Sequence, residues 1–161
     1  MENQSLNREA AIKIARRADG NYNEALRLAN HAEDNNQELF NRWMQLLYSN
    51  NAGELVKWVD EISRIGRESQ KSFFRYALEF LHECVVLQQT GEEQSRLQEE
   101  EKRLAAWLCQ RMEADEWQAM TQYFNKAHYH IERNAHPKIL FMNLSLQLQK
   151  IISRKKLSLT E

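Results

Sequence analysis

Glycine and proline are scarce in this chain, with four glycines and the single Pro137 among 161 residues. That scarcity argues against a fold built on tight turns, and no strand-type alternation is present to suggest a sheet. Leu, Glu, Gln, Ala, Lys and Arg dominate instead, a helix-forming mixture, so the composition predicts an all-α protein. Cysteine is equally sparse. Cys84 and Cys109 each stand inside an apolar helical run, which argues against a disulfide framework and for buried thiols in a reducing compartment, the cytoplasm. No apolar run approaches the roughly 20 residues needed to span a bilayer, and no charged start followed by an apolar core and small-residue cleavage site opens the chain. A soluble, unexported protein with no membrane partner is expected. The net charge of −1, with both signs interspersed, supplies no overall basic field for sequence-independent nucleic-acid binding. A chain of this size buries roughly 68–70% of its unfolded surface, enough for one domain, or one domain with a small attached piece.

What is present is helical periodicity. In residues 10–29, AAIKIARRADGNYNEALRLA, one apolar face carries Ala11, Ile14, Ala15 and Ala18, and a second carries Tyr22, Ala25, Leu26 and Ala29. Between them Gly20 suits the left-handed end of the first helix, while Asn21 and Glu24 suit an N-cap and capping box for the second. The expectation is a tight two-helix hairpin within residues 1–33. The polar stretch HAEDNNQE then reads as a joint to a larger domain, residues 36–154, followed by a basic polar tail, 155–161.

Within that larger domain the spacing predicts a bundle of about six helices. Residues 37–48 carry Phe40, Trp43, Met44 and Leu47 on one face, and a Ser49-Asn50-Asn51-Ala52-Gly53 turn separates them from 54–64, with Leu55, Trp58, Val59 and Ile62. These two are expected to pair antiparallel through their aromatic faces. Residues 67–89 are apolar around much more than one stripe and read as the central helix. The charged segment after Gly91 reads either as a loop with an exposed first helical turn or as a long solvated helix. Leu104, Trp107, Leu108 and Met112 mark a further helix, and Trp117, Met120, Phe124, Ala127 and Ile131 another. Pro137 fits the first position of the last helix, 137–154, with His136 or Asn134 before it as cap.

Candidate chemistry is thin. The glycines are scattered and none opens a phosphate-binding G-x-x-x-x-G-K loop. His128, His130, His136 and Glu132 come nearest to a metal cluster, but an i,i+2 spacing places His128 and His130 on different helix faces, so no metal site is assigned. His82 and Cys84 share that defect, and burial in an apolar run would raise the thiol pKa and silence it. Glu99, Glu100, Glu101, Asp115 and Glu116 splay around their helices and read as solvated faces, since paired acid–base work needs convergence in a pocket. Trp43, Trp58, Trp107 and Trp117 each fall on an apolar stripe and read as core or interface. The hairpin also invites comparison with a DNA-reading helix-turn-helix presenting Tyr22, Asn23 and Glu24; Glu24 would face phosphate unfavourably, and Arg16 occupies a position that such motifs fill with a small buried residue. An autonomous nucleic-acid-binding domain, using the hairpin or the basic tail, is therefore the alternative of a different class. No catalytic residue, cofactor or metal is assigned, and the chain does not read as an enzyme.

One family resemblance gathers these pieces. IARRADGNYNEALRLA resembles the end of the helical lid of AAA+ clamp-loader subunits. ELFNRWMQLLY, ELVKWVDEISRIGRESQKSFFRYALEFLHE and IERNAHPKILFMNLSLQL resemble, in that order, the C-terminal collar of the bacterial DNA polymerase III delta-prime subunit. The matching positions are Gly20, Asn21, Ala25, Leu26 and Pro137. In that family the lid carries an ATP-sensing arginine in a Gly-x-x-Arg-x-Ala-Leu pattern, and here the arginine position holds Asn23. A neutral amide lacks the charge-assisted contact that arginine makes to phosphate. The resemblance implies a non-catalytic C-terminal part of a longer protein, with a collar that joins gamma or tau and delta subunits for sliding-clamp loading in DNA replication. It implies contact with DNA only through the assembled complex.

Overall fold

The computed structural model describes the backbone of residues 21–91 and 96–159, and the side chains of residues 35–91 and 96–153. Among the described residues there are six helices and no strand: α1 Asn21–Ser49, α2 Ala52–Ser63, α3 Arg67–Thr90, α4 Glu99–Cys109, α5 Ala114–Glu132 and α6 Pro137–Leu159. The all-α expectation is met. The chain divides between Asn35 and Asn36 into two units, and the packing below belongs to the second.

The expected break between the hairpin and the first bundle helix is absent. α1 runs without interruption from Asn21 through the polar stretch to Ser49. No glycine or proline stands between these ends, and Asn, Asp and His each cost a helix only about 0.7 kcal/mol or less relative to alanine, so polarity there does not break it. The first helix of the expected hairpin, residues 10–19, and Gly20 lie outside the described residues. After α1, Asn50 adopts the left-handed conformation at φ 59 and Asn51 caps α2, its side chain accepting the Glu54 N–H at 3.2 Å.

α1 and α2 form the expected antiparallel pair. The Trp43 and Trp58 rings stack with centroids 4.6 Å apart, the Trp58 indole N–H donates to the Leu39 carbonyl at 3.0 Å, and Arg42 pairs with Glu61 at the rim. Leu55, Trp58, Val59 and Ile62 are all buried. The helix read as central earns that description. α3 packs along α5 and α4 and buries Phe73, Phe74, Ala77, Phe80, Leu81 and Cys84. Phe40 of α1 meets Phe73 and Phe80 of α3 and Phe124 of α5, so one ring links three helices. α5 buries all five residues of its expected stripe.

The charged segment resolves toward the first of its two readings. Residues 96–98 are not helical, and α4 starts at Glu99 with a capping box in which Gln98 and Glu101 each bond the other's backbone N–H. Glu101 is not simply solvated. It also accepts the Tyr76 hydroxyl at 2.6 Å, tying the start of α4 to α3. Met112 is buried beyond the end of α4, in the turn to α5.

Candidate interaction surface

α6 starts where local chemistry requires. α5 ends in a Schellman arrangement with Asn134 at φ 63, the Asn134 N–H bonding the Ile131 carbonyl at 3.2 Å and the Ala135 N–H bonding the His130 carbonyl at 3.0 Å. The Arg67 guanidinium donates to the Asn134 side-chain oxygen. His136 then supplies the cap carbonyl, accepting the Leu140 N–H at 3.0 Å, and Pro137 takes the first helical position. Of the two expected caps it is His136 that serves.

Two cross-links set the register of α6 against α2. Lys138 Nζ lies 2.9 Å from Asp60 Oδ1 near the end of α2, and the Gln149 side-chain amide donates to Asn50 just before its start. The helices therefore run antiparallel. Phe141, Leu144, Ser145, Leu148 and Ile152 point inward and are buried, with Phe141 stacked on Phe74 at 5.0 Å. Ile139, Asn143, Leu146 and Lys150 follow at i, i+4, i+7 and i+11 on the opposite face, and all are exposed. Ile139 keeps 69% of its surface in solvent and Leu146 50%. Val56, one turn before Asp60 on the same edge of α2, is also exposed. Tyr129, the remaining large exposed apolar residue among those described, carries the Arg133 guanidinium over its ring at 3.5 Å.

A second surface cluster brings together residues far apart in sequence. Trp107 is only partly buried; Tyr48 meets it edge-on at 4.9 Å, and Arg111 lies over the Trp107 ring at 4.4 Å. The sequence placed Trp107 on an apolar stripe, as core or interface, and left Arg111 and Tyr48 unremarked. Their signal is the i,i+4 spacing of Trp107 and Arg111, but Tyr48 joins them through the fold alone.

The other residues considered for chemistry disperse. His130 and His136 are exposed, while His128 lies 3.7 Å from Glu132, whose carboxylate is 4.0 Å from Lys71 of α3. Among the described residues no group of three or more His, Cys, Asp or Glu is placed to hold a metal ion. Cys84 and Cys109 are free thiols, the Cys109 Sγ directed at the Cys84 carbonyl at 3.4 Å, and burial raises the pKa of both. Glu99, Glu100 and Asp115 meet water. Asn21, Asn23, Ala25 and Leu26 have their backbone in the opening turns of α1. No helix among the described residues is long and apolar enough to cross a membrane. No protein-family model matches the chain, and neither a curated protein nor a solved structure is significantly similar to it.

Proposed function

We propose that this chain is a non-catalytic assembly module, the C-terminal part of a clamp-loader subunit of the delta-prime type. In this reading it acts in the cytoplasm, joining gamma or tau and delta subunits through the helices that follow residue 36. The observation that carries an assembly role is the outward face of α6. A helix that already commits Phe141, Leu144, Leu148 and Ile152 to the core still exposes Ile139 and Leu146. Apolar side chains repeated along one exposed helix face suit burial against another protein and offer no chemistry to a substrate. The choice of clamp loader rests on the ordered motifs described above, and Asn23 in place of the sensing arginine supports a subunit without ATP-dependent work of its own.

Reconstitution tests this directly. The chain mixed with purified gamma or tau and delta subunits is expected to co-elute with them in native size-exclusion chromatography. Separate elution, together with salt-sensitive retention of DNA by the chain alone, would overturn the proposal in favour of a nucleic-acid-binding domain.

A further inference from the structure

The α6 face has a charge character that narrows its partner. Over the 23 residues of α6 there is no Asp or Glu, while Lys138, Lys150, Arg154, Lys155 and Lys156 are all cationic. Lys138 is engaged by Asp60. Lys150 is exposed on the same stripe as Ile139 and Leu146. An apolar strip ending in positive charge is complementary to an amphipathic helix whose apolar stripe is flanked by carboxylates.

The same pattern argues against a second copy of this chain. A two-fold dimer pairs one surface with itself. Parallel pairing of two α6 helices sets Lys150 beside Lys150. Antiparallel pairing sets Lys150 against the start of α6, where Lys138 is already paired with Asp60 of α2. Neither arrangement offers Lys150 a carboxylate free of a cation of its own, and the parallel one also juxtaposes like charges, which opposes association. Resting on the assembly reading above, we infer that the Ile139–Leu146–Lys150 face docks an acidic amphipathic helix supplied by a different chain of the complex.

The test compares the wild-type chain with Ile139→Asp/Leu146→Asp and with Lys150→Glu in the same reconstitution. The substituted side chains are solvent-facing, so far-UV circular dichroism and thermal melting should remain those of the wild type. The double variant is expected to lose co-elution. Lys150→Glu is expected to weaken association by about tenfold at low salt, with the deficit shrinking as salt screens the charge. If the wild type assembles and a well-folded double variant assembles equally well, the α6 inference falls while the assembly reading stands. If the wild type does not assemble, both fall. A homodimer of the isolated chain in analytical ultracentrifugation, abolished by the double variant, would assign the face to a second copy and overturn the inference.

Discussion

Ser145 has no exposed surface, yet it is a hydroxyl in the middle of an aromatic core. Its Oγ accepts the Trp43 indole N–H at 2.9 Å and donates to the Phe141 carbonyl at 2.7 Å, so the one polar atom of a buried indole is satisfied by a residue 102 positions away. Ser145→Ala removes that acceptor and strands the indole N–H in a dry interior. The expected cost is about 1–3 kcal/mol, read from urea unfolding followed by circular dichroism. A change below a few tenths of a kcal/mol would show that the bond contributes little. Trp43 was legible as a core residue because it falls on an apolar stripe with Phe40, Met44 and Leu47. Ser145 was not, because a serine between Leu144 and Leu146 has no periodic signature, and its value depends on which helix lies opposite.

At the scale of elements, most helix limits follow from local chemistry. α3 is bounded by Gly66 and Gly91, both at positive φ near 90°, and the expected span of 67–89 differs from the observed one by a single residue. The joins between helices depend on side chains that look unremarkable in sequence. Gln88, near the end of α3, accepts the Trp117 indole N–H at 3.0 Å and donates to the Cys109 and Met112 carbonyls, each at 3.0 Å. One amide thus ties the end of α4 and the start of α5 to α3. Gln88→Ala is expected to destabilise the chain by about 1–3 kcal/mol, since three bonds are lost but part of the site is open to water that partly replaces them. Urea titration of this variant beside an exposed control such as Gln89→Ala separates the clamp from the loss of a surface glutamine. Equal midpoints would show that the clamp does not hold the joint.

At the scale of the whole molecule, stability acquires an alkaline limit. Burial, then the hydrogen bond and charge of Glu101, raise the Tyr76 pKa above its ordinary value of 10.0. Burial raises Cys84 and Cys109 above their ordinary 9.0. Each group holds its proton more firmly in the folded chain than in the unfolded one. Its contribution is therefore complete below the unfolded pKa and declines as pH rises from that value toward the raised folded one. Unfolding free energy should begin to fall near pH 9 and steepen past 10, by up to about 1.4 kcal/mol per pH unit from Cys84, the most deeply buried of the three, and by less from the more exposed Tyr76 and Cys109, where solvent screens the shift. Tyr76→Phe and Cys84→Ala should flatten that fall, which denaturant titrations between pH 8 and 11 measure. An unchanged slope in both variants would remove these groups as its source.

The all-α class, the stripes of α2 and α5, the limits of α3 and the start of α6 at Pro137 were determined by the sequence itself. Each follows from periodicity or from the backbone preferences of neighbouring glycine, proline or capping residues, which act within one or two turns. The tertiary structure decided what those local rules leave open. Trp107, half-buried against the core, also meets Tyr48 and Arg111, Glu101 is drawn from solvent by Tyr76, and α6 retains Ile139 and Leu146 on its outer face. A stripe tells which residues of a helix are apolar, but which of them reach the core depends on where the neighbouring helices lie. For α6 those neighbours include α2, held in register by Asp60 and Asn50, and α5, and the apolar residues beyond their reach form the surface proposed to receive a partner.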